Sequence, residues 1–389
     1  MAQNGAFYTG VYRNVFAEMG YDPAEIDRRV DETFNEMFYG PKNIALYHPD
    51  WDDKASFEDT GNCDARTEGM SYAMMMCVQM DKQEEFDKLW NFSKTFMFHK
   101  EGIYRGYYAW SVALDGHRFA QGPAPDGEEY YAMALFFASN RWGDREAPYD
   151  YSVQARAILH ECVHKGENGE EGDPMWDPET KLIKFVPEAD YTDPSYHLPH
   201  FYELFALWAN EEDRPFWKQA AEASRKYLHA ACHPETGLSA ECTLFDGSFL
   251  PPPRGREKYY SDAYRVPANI SMDALWFGVD PWQYEINGKL EKFFCENEPE
   301  HRYHIYDING KIYDEPALHP VAIISTNAEA AIAATCAENG AYNDYARECV
   351  RIFWNTPLRR DIRRYYDNCL YMFAMLALSG RYRIWFPQK

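Results

Sequence analysis

The chain has 389 residues, of which 62 are acidic and 39 are basic, giving a formal charge of −23 at neutral pH. Nucleic-acid-binding proteins need clustered lysine and arginine, so this balance excludes a nucleic-acid partner. No run of about 18 apolar residues occurs, and we therefore expect no membrane partner. The nine cysteines form no CxxC pair, and the N-terminus lacks the features of a secretory signal, so we expect a cytoplasmic protein.

Predicted helices of two kinds alternate along the chain. One kind is amphipathic, with one apolar stripe, and is typical of surface helices; the other is apolar almost all round and is typical of helices buried on every side. In chain order, the amphipathic segments are 23–38, 82–97, 152–164, 214–232, 285–296 and 342–354, and the apolar segments are 70–80, 130–138, 201–209, 270–278, 321–333 and 370–378.

Two concentric rings of helices satisfy this alternation. We therefore predict an all-α fold, an (α/α)6 barrel of six inner and six outer helices, formed by one domain of residues 1–389. Strand signals are few, and the best lies at residues 304–313, where Asn309-Gly310 predicts a two-residue hairpin turn. We interpret this segment as a small β-hairpin decoration before the fifth inner helix.

The loops that precede the predicted inner helices would meet at one rim of such a barrel. They carry Glu68, Asp126, Tyr196, Asp262 and Arg265. Acidic residues before helices also act as caps, but their recurrence at the same place in the repeat favours a functional role. Two carboxylates are what glycoside hydrolysis requires, because one protonates the leaving oxygen while the other attacks or activates water.

Aromatic residues are abundant, with 30 Tyr, 24 Phe and 11 Trp, and sugar rings stack on aromatic faces. Most of these rings belong to the core, because aromatic side chains dominate cores generally. Trp110 is the ring that we expect to face a sugar. It lies between a glycine-containing segment and the polar loop 115–117, which indicates a position near the rim.

The segment Ala124-Pro125-Asp126-Gly127-Glu128, followed by an apolar helix ending at Trp142, resembles the signature of glycoside hydrolase family 8. The Asp and Gly match, whereas Pro125, Glu128 and Tyr131 differ from the types usual in endoglucanases of the family. At these positions the chain instead resembles the branch of reducing-end xylose-releasing exo-oligoxylanases. The resemblance to that branch extends over nearly the full length of the chain. The resemblance is carried by residues 67–72, 193–205, 261–269 and 364–378.

The resemblance implies an inverting hydrolase that releases xylose from the reducing end of β-1,4-xylooligosaccharides. Glu68 would be its general acid and Asp262 its general base, with two carboxyls roughly 6.5–9.5 Å apart. Like charge from Asp126 and Asp262 would raise the pKa of Glu68, which must carry a proton. The predicted substrate-binding residues are Asp126, Tyr196, Arg265, Trp110, His319 and Tyr366. We expect a xylooligosaccharide as the partner, a monomer, and neither cofactor nor metal.

The same resemblance implies that Leu318-His319-Pro320 sets the exo mode of attack. Proline stiffens the loop, so that His319 could be held against the reducing-end hydroxyl. Without the resemblance, this tripeptide would be read as a simple helix start. An endo-acting β-glycanase of the same family therefore stays open as an alternative.

Three further alternatives come from other classes. His160-Glu161-Cys162-Val163-His164 is a literal HExxH zinc motif, but it closes a short helix and runs into the flexible loop 165–169. A catalytic zinc needs a third protein ligand on a rigid element, and the glutamates that follow the motif lie in a glycine-rich loop. A helical-barrel sugar epimerase would use rim histidines such as His197, His200 and His319. A non-catalytic sugar-binding protein would need the aromatic residues but not Glu68 together with Asp262.

Overall fold

The structure, a computed structural model, describes residues 5–387. Its helices in chain order are α1 (Ala6–Thr9), α2 (Val15–Glu18), α3 (Pro23–Tyr39), α4 (Thr67–Met80), α5 (Gln83–Phe92), α6 (Pro125–Trp142), α7 (Tyr151–His164), α8 (Pro199–Trp208), α9 (Arg214–Ala231), α10 (Val266–Trp276), α11 (Trp282–Asn297), α12 (Pro320–Ala334), α13 (Asn343–Asn355) and α14 (Arg364–Leu378). Each of the twelve predicted helices corresponds to one of α3 to α14, so these predictions are confirmed. Within residues 5–387, no helix combines the length and apolar character needed to cross a bilayer.

Seven short strands accompany the helices within the part of the chain that the structure describes. They are β1 (Tyr47–His48), β2 (Ser56–Asp59), β3 (Asp64–Arg66), β4 (Ser111–Val112), β5 (Lys258–Tyr259), β6 (His304–Asp307) and β7 (Ile312–Pro316). Strands β1 to β4 form one antiparallel sheet in chain order, and β5 to β7 form another. The sequence analysis did not anticipate the first sheet, because strands of two to four residues are too short to show an alternating pattern.

The chain divides into two compact units. The first contains the described residues through 33 together with 191–200 and 222–383, and the second contains 34–190, 201–221 and the residues from 384 onward. In the first unit, α12 packs against α10, α11, α13 and α14. In the second unit, α4 packs against α5 and α6, and α6 packs against α7. The expectation of one domain over residues 1–389 stays a prediction.

Most of the helices that were predicted to be buried are buried in the structure. Nearly every residue of α4, α10, α12 and α14 is buried. The third apolar segment differs, because Leu207 near the end of α8 is exposed. The stripe of the first amphipathic segment is buried as expected, from Ile26 and Val30 to Phe34 and Phe38.

The predicted hairpin is confirmed, but its turn is not the expected two-residue Asn-Gly turn. The Asp307 amide donates to the Lys311 carbonyl, which leaves three residues in the loop. Only Gly310 has a positive φ, of 93°. A two-residue type I′ turn needs positive φ at both central residues, whereas a three-residue loop needs it only at its last position. The hairpin also pairs with β5, which the sequence did not indicate.

Candidate active site

Glu68 is presented by the junction between a strand and a helix in the second unit. Strand β3 pairs with β4, with Arg66 opposite Ser111, and α4 starts at the next residue, Thr67. The Thr67 amide donates to the carbonyl of Trp110 at 3.0 Å. Glu68, the second residue of α4, is half-buried. The sheet therefore fixes where the helix begins and so where this carboxyl lies.

Asp126 lies beside the start of α4 because Gly127 permits a very close approach. A Cβ atom at Gly127 would lie only 2.4 Å from Cβ of Thr67 and 2.5 Å from its Oγ1. Only glycine allows the first turn of α6 to pack directly on the first turn of α4. Asp126 is buried and accepts a hydrogen bond from the Gly127 amide at 3.0 Å. Two of the predicted site residues, Asp126 and Glu68, are thereby brought to neighbouring helix starts.

Trp110 lies immediately before β4 and is half-buried. Its ring centroid is 5.0 Å from the guanidinium carbon of Arg66, a cation–π arrangement. Arg66 in turn donates to Asp64 and forms an ion pair with Asp59, both at 3.1 Å. These contacts hold the indole next to the strand that leads to Glu68, as its predicted role in sugar stacking requires.

Glu128, which departs from the usual family type, supports the backbone. It is completely buried, and its Oε1 accepts a hydrogen bond from the Tyr108 amide at 3.0 Å. Burial raises the pKa of Glu128 well above its usual value, and the charge of Asp126 raises it further. This carboxyl therefore anchors the segment that leads to Trp110, a role that sequence reasoning did not assign.

In the first unit, the structure brings Asp262, Arg265 and Tyr196 together. Asp262 and Arg265 lie in one short helical turn, Ser261–Arg265, with Arg265 Nη2 3.3 Å from Asp262 Oδ1. The guanidinium carbon of Arg265 is 5.4 Å from the ring centroid of Tyr196. Arg265 is buried, whereas the Asp262 side chain is 29% exposed. A fixed positive charge therefore stands beside a carboxylate that solvent or substrate can reach.

Two further carboxyls near Asp262 were not singled out from the sequence. Asp193 is completely buried and caps the turn Pro194–Tyr196 by accepting from the Ser195 amide at 2.7 Å. Burial raises the pKa of Asp193 well above its usual value, and the charge of Asp262 raises it further. Burial, followed by the charge of Asp262, also raises the pKa of Glu241 to about 7. Asp193 and Glu241 therefore have raised pKa values, whereas Asp262 forms an ion pair with Arg265.

A buried carboxylate fixes His319 in place at the start of α12. Asp367 Oδ2 lies 2.7 Å from His319 Nδ1 and also accepts from Arg359 Nη1 at 2.8 Å. Its other oxygen accepts from the Ala322 amide at 2.9 Å, and Arg359 Nη1 donates to the Leu318 carbonyl at 2.7 Å. The tripeptide 318–320 is therefore held by a network and is more than a helix start.

Tyr366 links His319 to the segment that carries Asp262. Its ring centroid is 4.9 Å from that of His319, and its hydroxyl donates to the Ser261 carbonyl at 2.9 Å. Five predicted site residues of the first unit, Tyr196, Asp262, Arg265, His319 and Tyr366, thus form one continuous chain of contacts. Glu68, Asp126 and Trp110 form a second group in the second unit. The distance between Glu68 and Asp262 stays a prediction.

Two of the three histidines that an epimerase would use, His197 and His200, are not available as proton shuttles. His197 is completely buried between the hydroxyls of Thr192 and Ser224, each 2.9 Å from a ring nitrogen. His200 is buried with its ring centroid 5.2 Å from that of Trp276. Burial lowers the pKa of both histidines to about 3. This geometry counts against the epimerase alternative.

Comparisons with known proteins agree on one family. The sequence profile of glycosyl hydrolases family 8 matches residues 57–380. The chain is 55% identical over 383 residues, 98% of each chain, to reducing-end xylose-releasing exo-oligoxylanase Rex8A of Paenibacillus barcinonensis. It is 54% identical over 385 residues, 99% of this chain and 97% of the relative, to reducing end xylose-releasing exo-oligoxylanase of Halalkalibacterium halodurans.

A crystal structure of a reducing end xylose-releasing exo-oligoxylanase is also similar to this chain. The TM-score is 0.95 at 56% sequence identity, covering 99% of both chains. Structures of this group are (α/α)6 barrels, and the prediction of an all-α (α/α)6 fold is thereby confirmed.

Proposed function

The chain belongs to glycosyl hydrolase family 8, and on that premise we propose that it releases xylose from the reducing end of β-1,4-xylooligosaccharides. The observation that carries the proposal is the network that fixes His319. A loop that only began a helix would not need a completely buried carboxylate and an arginine to hold one histidine nitrogen and the Leu318 carbonyl. Recognition of a chain end does need such a fixed polar group.

The chemistry is a single displacement with inversion at the anomeric carbon. Glu68 acts as the general acid and protonates the glycosidic oxygen as its bond to C1 breaks. Asp262 acts as the general base and takes a proton from the water that attacks C1 from the opposite face. Asp126, beside the start of α4, holds the sugar whose bond is cleaved.

Arg265 and Tyr196 support the general base. The guanidinium of Arg265 lies 3.3 Å from Asp262 and forms an ion pair with that carboxyl. Burial and the charge of Asp262 raise the pKa of the neighbouring Asp193. Tyr196, whose ring lies near the same guanidinium, holds the attacking water.

His319 reads the end of the substrate through its outer nitrogen. The carboxylate of Asp367 needs a donor, so Nδ1 of His319 carries the hydrogen, and Nε2 is the acceptor in the neutral ring. An acceptor in that position binds a free anomeric hydroxyl, which donates, and not a glycosidic oxygen, which cannot. Tyr366 packs against the ring and keeps it in place.

The test compares substrates that differ only at the reducing end. Xylotriose should yield xylose and xylobiose, with the α-anomer of the newly formed reducing end appearing first in proton NMR. The methyl glycoside of xylotriose and xylotriitol should react at least about 10-fold more slowly. The methyl cap removes the donor to the histidine, and the opened terminal ring of the alditol moves its C1 hydroxyl away from the anomeric position. Equal rates on the capped sugar, or internal cleavage of polymeric xylan, would contradict the exo assignment and favour the endo-acting alternative.

We also propose that the enzyme is a single-domain monomer of the cytoplasm. All nine cysteines lie in the described part of the chain as thiols, including Cys295 and Cys349, whose sulfurs are 3.8 Å apart. Free thiols at that distance suit a reducing compartment. Size-exclusion chromatography with light scattering and fractionation of the native cells test the two statements.

A further inference from the structure

A cluster of metal-ligating side chains lies in the second unit, apart from the residues assigned to sugar hydrolysis. His160 and His164 face the same side of α7, and Asp213, which precedes α9, lies against both. One ligand atom from each of the three residues can be chosen so that all lie within 4.8 Å of one another. The sequence analysis missed Asp213 as a third ligand because it follows His164 by 49 residues.

The three side chains converge on one point. His160 Nδ1 is 3.1 Å from Asp213 Oδ2, and His164 Nε2 is 2.7 Å from Asp213 Oδ1. The two imidazole centroids are 4.4 Å apart. The Asp213 side chain is completely buried, whereas those of His160 and His164 are 45% and 33% exposed. A buried carboxylate thus aims both oxygens at two imidazoles that an ion from solution can reach.

A second carboxylate orients His164 from behind. Glu167 Oε2 lies 2.9 Å from His164 Nδ1, the nitrogen that points away from Asp213. Histidines that bind metals commonly donate their other ring nitrogen to a carboxylate, which fixes the tautomer and makes the binding nitrogen more basic. An imidazole held between two carboxylates in this way has Nε2 ready to act as a ligand.

The glutamate of the HExxH motif is not directed at this cluster. Glu161 Oε1 forms an ion pair with Arg105 at 3.2 Å, and its Oε2 lies 3.6 Å from Lys165 Nζ. Its carboxyl group also packs on Gly106, where an added Cβ would lie 2.7 Å away. In zinc peptidases this glutamate acts as the general base on metal-bound water. The surroundings of Glu161 exclude that chemistry here.

We propose that His160 Nδ1, His164 Nε2 and the Asp213 carboxylate bind one Zn²⁺ ion in a structural site. Two imidazoles and one carboxylate suit zinc and similar borderline divalent cations, whereas Mg²⁺ and Ca²⁺ prefer oxygen ligands only. Water completes the coordination. The ion ties the end of α7 to the segment that starts α9, so it contributes to stability and takes no part in sugar hydrolysis.

Zinc binding is measured on the whole protein after dialysis against EDTA. Isothermal titration with ZnCl₂ should give one site per chain, and equal concentrations of MgCl₂ or CaCl₂ should give none. At free Zn²⁺ about 100 times the dissociation constant, the melting temperature should rise by about 3 °C. Absence of a zinc site in the titration, or an equal response to Mg²⁺, would overturn the proposal.

Variants localise the site. His160→Gln should weaken zinc binding by more than about 10-fold, and Glu167→Gln should weaken it by about 10–100-fold. The matched control is His229→Gln, since His229 also pairs with a carboxylate, Asp280 at 2.7 Å, outside the cluster. It should bind zinc as the unaltered protein does. Unchanged zinc affinity in His160→Gln would overturn the assignment of ligands.

Hydrolysis serves as the second readout. The His160 and Glu167 side chains are partly exposed, so both variants should fold and hydrolyse xylotriose at the rate of the unaltered enzyme. EDTA should likewise leave that rate unchanged at 25 °C. Loss of hydrolysis on chelation would overturn the structural role of the ion.

Discussion

Asp367→Asn separates the proposed role of His319 in substrate recognition from its role in packing. Asp367 is completely buried and accepts hydrogen bonds from Ala322, Arg359 and His319. Asparagine has nearly the same shape and keeps one oxygen for the Ala322 amide. It replaces the other oxygen with an NH₂ group, which cannot accept from Arg359 or from His319 Nδ1.

The cost in stability follows from this loss of a buried charge. Breaking a buried ion pair by removing one partner costs about 3–5 kcal/mol. Arg359 keeps Asp361 at 2.8 Å and the Leu318 carbonyl, so the lower end of that range applies. For a chain of this length, about 3 kcal/mol corresponds to a fall in melting temperature of about 4 °C. The variant should therefore stay folded at assay temperature.

The same substitution should lower the rate on free xylotriose much more than the rate on the capped sugar. Without the carboxylate, His319 no longer presents Nε2 as a fixed acceptor to the anomeric hydroxyl. Leaving such a group poorly satisfied costs about 1–3 kcal/mol, so kcat/KM for free xylotriose should fall about 10–100-fold. The rate on the methyl glycoside should stay nearly constant, because the bond in question is not made there. The ratio of the two rates is therefore the informative measurement.

A double-mutant cycle decides whether Asp367 acts through His319. In a His319→Ala background, Asp367→Asn should leave the free-to-capped ratio unchanged. The matched control is Asp361→Asn, which removes the exposed partner of the same arginine and should preserve the ratio. If Asp367→Asn lowers the rates on both substrates equally, or acts independently of His319, the network is structural only and the reasoning fails.

The remaining predictions concern the catalytic pair, a helix contact and a buried acid. Glu68→Ala and Asp262→Ala should each lower kcat on xylotriose by roughly 10²–10⁴-fold with KM little changed; near-normal turnover in steady-state assays would remove that residue from its role. Gly127→Ala should lower the free energy of unfolding in urea by about 1–3 kcal/mol and also lower kcat, because its Cβ would lie 2.4 Å from a side chain of α4. The control variant Gly122→Ala should change neither quantity, since the nearest atom to its Cβ would be 3.6 Å away. Burial raises the pKa of Glu329 from 4.5 to about 8, so the unfolded state loses this proton first and stability falls as pH rises from about 5 to 8. Glu329→Gln should therefore match the unaltered protein at pH 5 and be about 3 kcal/mol more stable at pH 8; equal unfolding curves at pH 8 would contradict this.

The helices could be predicted because their pattern is repeated over many residues. Segments of 9 to 19 residues show clearly whether they are apolar all round or on one stripe, and all twelve correspond to observed helices. The four-stranded sheet could not be predicted in the same way. Strand β3 is three residues long, and it forms because it pairs with β4, 45 residues further along the chain. Yet this sheet determines where α4 starts and hence where Glu68 lies.

In the candidate site, too, some residues could be predicted from the sequence and others could not. Glu68, Asp126 and Asp262 were identifiable because they recur before apolar helices and match a known motif. Their supporting residues were not, because a buried carboxylate has no local sequence pattern. Asp367 lies 48 residues from His319, and Asp213 lies 49 residues from His164. Only folding brings such pairs within hydrogen-bonding distance.

Helix starts explain how acidic groups can be buried in the part of the first unit that carries Asp262. Asp193 accepts from the Ser195 amide, and Asp367 accepts from the Ala322 amide, the third residue of α12. Such amides are free of intrahelical partners and carry partial positive charge, so they stabilise a nearby carboxyl without an added side chain. For Asp367, Arg359 completes the compensation and the group stays a hydrogen-bond acceptor. For Asp193, burial and the charge of Asp262 prevail and raise its pKa. Arg265 therefore lies 3.3 Å from Asp262, the proposed general base, next to a second carboxyl whose pKa is raised.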